Sequence, residues 1–248
     1  SFPTRRSSDL VDGHTTVEHA LPLAEVYEDV KQLWSQTAVG YNPTLNVAYG
    51  GLDGEHYWYA HSEVWRHPIL SRFVPQSVLQ PRSVRRLTAP EQDFNVLRVA
   101  RTATELQRAG VRTSIGAHGQ REGLGAHWEM WMLGLGGMTP LEALRSATLN
   151  PAQTLGLDKD IGSLEPGKLA DLVVLEGDVL KDIRHSDRIA QVMQGGRLYE
   201  LPTMNEIGHR SKPRKAFFFE GLSGEQGQVP VNDHALEDYL EVGHVCRH

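Results

Sequence analysis

Between Val11 and Asp158 short strand-like runs alternate with stretches of helical period, and that alternation restricts what the chain can fold into more than any other feature. Thr15 to His19, TTVEH, is short and β-branched. It leads into Pro22 to Gln36, where Leu23, Val26, Tyr27, Val30, Leu33 and Trp34 fall on one face of a helix opened by proline. Ala38 to Leu45 is a poorer strand, interrupted by Pro43, and from there to Thr88 the sequence is aromatic, histidine-rich and irregular. That segment reads as a long functional loop with some helix. Asp93 is placed to cap a helix whose buried stripe is Val96, Val99, Ala100, Ala103 and Leu106 and whose stop is Gly110. Val111 to Gly116 follows as a strand. Strands separated by helices in this way imply an α/β protein with a parallel sheet or a barrel.

Beyond Gly116 the helical signals sharpen. Trp128, Trp131, Met132 and Leu135 share a helical face that ends at Gly136-Gly137. Thr139-Pro140-Leu141-Glu142 is a capping box with proline at the first helical position, opening a helix that carries Leu141, Leu144, Ala147 and Thr148. Asn150-Pro151 starts a short helix closed by Gly156. The texture then changes. Glu165-Pro166-Gly167-Lys168 has the proline and glycine of a type II turn, Leu172 to Leu175 reads as a buried strand, and Gln194-Gly195-Gly196 joins Ile189–Met193 to Arg197–Leu201 as a hairpin. Residues 159–201 therefore form a small β unit, and the tail from Pro202 is weakly patterned. No internal repeat recurs at a fixed period.

Composition narrows the function classes. The chain has 248 residues, 40% hydrophobic and 23% charged, with a formal net charge of −6, as an ordinary globular protein of one large or two small domains would. A pI near 6.0 and scattered basic residues give no electropositive stripe for nucleic acid, and the run Pro81 to Arg86 reads as a solvated loop. No apolar run reaches membrane-spanning length. The single cysteine, Cys246, rules out an internal disulfide framework and leaves the compartment open between cytoplasm and export. No G-x-S-x-G elbow, phosphate-cradling P-loop or paired-cysteine motif is present.

Ser1 to Leu10, SFPTRRSSDL, is neither a signal peptide nor hydrophobically periodic, and it reads as the translation of a common sequencing adaptor. This predicts a gene that continues upstream of Val11, with the present chain its C-terminal part.

Parallel α/β folds carry their chemistry at the C-terminal ends of the strands. His19 and His118 each fall at such an end. In TTVEH the pleat points Thr15, Val17 and His19 one way and His14 and Glu18 the other, which makes His19 a better ligand candidate than His14. His127 and Glu129 open the helix after the last strand, either as partners that orient a ligand or contact substrate, or as capping and packing groups. Trp128 and Trp131 are core candidates. The aromatic run His56 to His61 lines a pocket or packs a loop. His244, Cys246 and His248 have ligand chemistry at two-residue spacing, although three donors at a chain terminus do not by themselves make a metal site.

The stretch AGVRTSIGAHG, then GGMTPLEALRSATLNPAQTLGLDKDIGSLEPGKLADLVVLEGD and QVMQGGRLYE, resembles the C-terminal part of the amidohydrolase superfamily, near its imidazolonepropionase-like and dipeptidase-like branches. GAHGQREGLGAHWEMWML resembles a subgroup often fused behind a β-propeller. The likeness covers about Val11 to Glu200, and its most specific piece is IGSLEPGKLADLVVL, where the chain of such proteins leaves the barrel to complete a small β-sandwich. The resemblance implies a metal-dependent (β/α)8 barrel with one or two divalent ions, usually Zn2+. These are held by an HxH pair on the first strand, a lysine or glutamate on the fourth, histidines on the fifth and sixth, and an aspartate ending the eighth. Gly13 to His19 resembles the sixth-strand pattern and makes His19 its metal ligand, while Tyr41 to Leu45 resembles the seventh strand. Val111 to His118 resembles the eighth, whose usual GTD ending is here Gly116-Ala117-His118.

His118 thus stands in the aspartate's place, as metal ligand and catalytic base or as a mere hydrogen-bonding residue in a pocket that has lost its metal. Imidazole as a class titrates near ~6.5, so it can both ligate and take a proton at neutral pH. The activity implied is hydrolysis of a cyclic amide, amidine or dipeptide-like C–N bond in a small-molecule substrate by metal-activated water. The competing class is a non-catalytic binding or scaffold protein on the same barrel. Residues 11–158 would supply only the last three strands, with the N-terminal barrel half missing. The expectation for the chain alone is therefore an aggregated or partly molten, inactive protein, since two open strand edges exceed what a domain's few kcal/mol of stability can offset.

Overall fold

Val17, Tyr41 and Thr113 lie side by side across three parallel strand segments, and all three are buried. The structure is a computed structural model that describes residues 10–21, 25–121 and 123–217. Strand β1 (Thr16–Glu18) pairs in parallel with β2 (Gly40–Asn42) in the register Thr16 to Gly40, Val17 to Tyr41 and Glu18 to Asn42. The third segment joins through Thr113 alone. Tyr41 N–H donates to Arg112 O at 2.8 Å, and Ser114 N–H to Tyr41 O at 2.8 Å. Val111–Gly116 is therefore shorter as a strand than its sequence suggests, because Ile115 N–H turns away to Ser146 O, 3.0 Å off, on a helix.

Helix α1 (Glu28–Ser35) connects β1 and β2 and starts later than Pro22. Tyr27 is extended (φ −70°, ψ 158°), so the helix begins only after it, and Tyr27 is 73% exposed. Trp34 carries the buried face instead, edge-on to Tyr41 at 5.1 Å with its Nε1–H donated to Val39 O. Pro22 and Leu23 lie outside the described residues. The segment expected as a loop is largely helical: α2 (Gly54–His61), a 3₁₀ turn Val64–Arg66, α3 (Leu70–Phe73) and α4 (Gln76–Leu79). Nor is Pro81–Arg86 simply solvated. Arg82 pairs with buried Glu55 at 3.1 Å, Ser83 is fully buried, and Arg86 donates to the carbonyls of Tyr59 and Ser62.

Helix α5 (Val96–Arg108) buries the stripe its period predicts, Val96, Val99, Ala100, Ala103 and Leu106. Asn95 rather than Asp93 stands before it, since Asp93 is spent in the 3₁₀ turn Glu91–Asp93. Helix α6 (Leu124–Leu135) packs on α5 closely enough that a Cβ on Gly136 would collide with the Ala100 backbone. Gly136 has an ordinary helical φ of −74°, so space rather than backbone strain is what demands glycine. Gly136→Ala should cost about 1–3 kcal/mol in a denaturant melt. An unchanged midpoint would mean that the two helices do not approach so closely.

Helix α7 (Pro140–Ala147) opens with both hydrogen bonds of the capping box, Glu142 N–H to Thr139 Oγ1 and Thr139 N–H to Glu142 Oε2. Its buried face is Ala143 and Ser146, whereas Leu141 is exposed, one step around the helix from the expected stripe. Helix α8 (Leu149–Thr154) follows and stops at Gly156, φ +70°. Strands β3 (Leu172–Leu175), β4 (Ile189–Gln194), β5 (Arg197–Glu200) and β6 (Glu206–Ile207) form an antiparallel sheet in that order. Gly195 and Gly196, both at positive φ, close the β4–β5 hairpin as the sequence requires.

Two expectations for this unit change. β3 is an edge strand with Val173 52% exposed, not buried; an apolar run reports strand propensity without saying which layer covers it. The sheet also continues past Leu201 into β6, so the weakly patterned tail contributes a strand. Among the described residues this single sheet is the whole β unit, and no helix is long and apolar enough to cross a membrane. Leu10 packs into the core, while the other nine residues of the adaptor-like stretch and the terminal His244, Cys246 and His248 lie outside the described residues.

Candidate active site at the strand ends

Each of the three parallel strand segments is followed, a few residues on at most, by a non-glycine residue with left-handed backbone: His19 (φ 66°), Thr44 (φ 49°) and His118 (φ 56°). Such residues are uncommon, because Cβ crowds the following carbonyl, and a structure keeps them only where surrounding contacts enforce them. Half of the six among the described residues stand at this one end of the sheet. The left-handed turn also changes how His19 is aimed. β1 stops at Glu18, so the turn, not the strand pleat, sets the direction of the imidazole.

The two turns bring His19 and His118 together. Their ring centroids lie 5.2 Å apart at 70°, edge to face. Two imidazoles sharing one tetrahedral zinc at bond lengths of roughly 2.0–2.1 Å have centroids about 5 Å apart, so the pair fits half of such a donor set. Among the described residues no three His, Cys, Asp or Glu side chains converge to complete it. His118 Nδ1 faces Gln120 Oε1 at 3.1 Å. An amide oxygen only accepts, so Nδ1 donates in this contact and Nε2 is the ring atom left for a ligand.

Tyr49 covers the other side of His19, stacked at 5.7 Å and 27°. Its loop is held by Asn95, whose Nδ2 donates to Tyr49 O and whose side chain fills the space beside Gly50 and Gly51. Gly50 (φ +94°) and Gly51 (φ +150°) allow this contact both by conformation and by lacking a Cβ. Asn42, at the end of β2, lies against Gly116 so closely that any side chain there would displace it.

Glu129 is fully buried on α6 beneath these turns. Its Oε2 accepts Leu45 N–H at 3.0 Å, its Oε1 accepts Asn46 N–H at 2.6 Å, and Gly116 N–H donates to it as well. Burial pushes its carboxyl up to about 8, against the three amide donors that favour the charged form. His127, expected as its companion, points elsewhere. Its Nδ1 pairs with Ser186 Oγ at 3.0 Å, Trp131 Nε1–H donates to the same oxygen at 2.9 Å, and burial lowers its pKa. His127 thus joins α6 to the 3₁₀ turn Ile183–Asp187.

The run His56–His61 is core rather than pocket wall: Tyr57, Trp58 and Tyr59 are buried, and Trp58 and Tyr59 pack on Trp128. Arg121, inside the histidine-flanked loop, donates to Tyr59 Oη and to the carbonyls of Val78, Leu79 and Pro81. Sequence reasoning missed Tyr49, Gln120 and Arg121. Only the adjacent glycines beside Tyr49 hinted at a special loop.

With this geometry in place, the relatives can be compared. Residues 80–199 match the amidohydrolase family. The adenine deaminase of Rubrobacter xylanophilus is 43% identical over 65 residues, which is 25% of this chain and 11% of that protein. The imidazolonepropionase of Symbiobacterium thermophilum is 42% identical over 65 residues, 25% of this chain and 15% of that protein. The crystal structure of an amidohydrolase superposes with a TM-score of 0.54 at 22% identity, covering 80% of this chain and 42% of the other. That likeness places the α/β part in a TIM-barrel-type fold, and the chain spans less than half of that relative's length.

Proposed function

We propose that the protein, residues 80–199 of which match the amidohydrolase family, hydrolyses a C–N bond in a small molecule at the His19–His118 pair, with a divalent metal ion. The observation that carries the reading is the edge-on pairing of these two imidazoles, 5.2 Å apart at the ends of β1 and the Thr113 segment. His19, directly after β1, is one metal ligand. His118 is the second ligand, through Nε2, with Gln120 fixing its tautomer through Nδ1. Tyr49 walls the site on the side of His19. A divalent ion held here, Zn2+ or a similar cation, would supply Lewis-acid activation of water and of the scissile carbonyl or amidine. The substrate class we assign is a cyclic amide or amidine, or a dipeptide-like amide.

The test is turnover of these two substrate classes by the protein made from the gene's full open reading frame, loaded with zinc. Hydrolysis should be abolished by a chelator, and His118→Ala should lower kcat by about 10²-fold or more. Unaltered turnover in His118→Ala would remove His118 from the proposal. Absence of turnover on both classes would favour the non-catalytic binding protein.

A further inference from the structure

We infer that Glu129 is the positioning residue of this site, a buried clamp that sets the ends of β2 and of the Thr113 segment and so places His118 against His19; this rests on the metal-pair reading given above. The carboxylate reaches two chain segments that are far apart in sequence. Leu45 and Asn46 follow β2, and Gly116 lies two residues before His118. All three partners are backbone N–H groups, so each is fixed in place by the main chain, and both carboxylate oxygens are used.

Stability alone gives little reason for a carboxylate at this position. A carboxyl group taken wholly out of water pays a desolvation penalty that hydrogen bonds repay only in part, and an apolar side chain of similar volume is commonly as good or better for stability. What an apolar side chain cannot do is accept from two strand ends at once. That bond pattern fixes the spacing of the turns at Thr44 and His118, both of which hold left-handed backbone and would relax if released.

Three neighbouring contacts act in the same direction. Asn46 Nδ2–H donates to Gly125 O at 3.0 Å, tying the post-β2 turn to the first turn of α6. Asn42 packs on Gly116, leaving no room for a side chain there. Gln120 then fixes the His118 ring itself. Glu129 therefore acts on His118 through the backbone, without touching either imidazole.

The experiment is a Zn2+ titration of the full chain, read by side-chain nitrogen NMR of the histidines, in wild type, Glu129→Gln, His19→Ala and His118→Ala. Glutamine keeps the shape but turns an N–H2 group towards an N–H donor. In wild type the His19 and His118 signals should move together in one saturable step. In Glu129→Gln the apparent zinc affinity should fall about tenfold, the scale seen when a group supporting a ligand is lost, and the two signals should move separately. Wild-type affinity with coupled signals in Glu129→Gln would overturn the clamp, provided His19→Ala and His118→Ala both weaken zinc. If neither alanine variant weakens zinc, the metal-pair reading falls and the clamp with it.

Should Glu129→Gln fail to fold, the wild-type chain still decides. Coupling is reciprocal, so saturating zinc should slow hydrogen exchange at the amides of Leu45, Asn46 and Gly116 several-fold. Unchanged exchange at all three overturns the inference.

Discussion

Raising the pH from about 5 to about 8 should destabilise the protein through Glu129, by roughly 1 kcal/mol for each pH unit. The sign follows from proton counting. Glu129 lies near 8 when folded and has an ordinary carboxyl value of 4.5 when unfolded, so between those values the folded state binds the extra proton. Its contribution is fully present below about 4.5 and is lost as the pH climbs through about 8. His67 and His127, both lowered by burial, act in the opposite sense around the ordinary histidine value of 6.5. The diagnostic is therefore the difference between wild type and Glu129→Gln in urea melts across this range. The two should diverge steadily with pH, and parallel pH profiles would mean that Glu129 is ionised with little cost.

Trp128→Ala should cost about 3–5 kcal/mol, the loss expected for an aromatic removed from a packed core. Trp128 is 1% exposed and stands at the junction of two layers. Trp58 lies parallel to it at 6.4 Å, and Tyr59 meets it edge-on at 5.6 Å. These residues join α2 to α6, so the cavity would open between two helices that hold the site from below. In a protein of this length the melting temperature should drop by roughly 10 °C. Trp131→Ala is the control: its ring is only partly buried, and it should lose less, mainly the bond to Ser186. Equal losses for the two variants would contradict the packing described.

Local signals were legible in the sequence, and long-range ones were not. The α5 stripe, the Thr139–Glu142 capping box and the Gly195-Gly196 hairpin each depend on residues a few positions apart, and all three form. The α1 stripe formed in part: Val26 and Trp34 are buried and Val30 packs on the core, whereas Leu33 and Tyr27, extended ahead of the helix, face solvent. Burial of β3 could not be read from Leu172–Leu175, because what covers a strand is decided by distant chain. His19 and His118 were identifiable from their places at strand ends, although their facing geometry comes from two left-handed turns that no periodicity reveals. Glu129 and His127 looked like a pair two residues apart, yet one clamps strand ends and the other reaches Ser186, 59 residues on.

The central claim is that His19 and His118 hold one metal ion between them. Its most direct test is a crystal of the protein grown with Zn2+ and an anomalous difference map at the zinc edge. The account predicts one peak about 2.1 Å from a ring nitrogen of each histidine. A map with no peak between the two rings, or with a peak bound to only one of them, would contradict it.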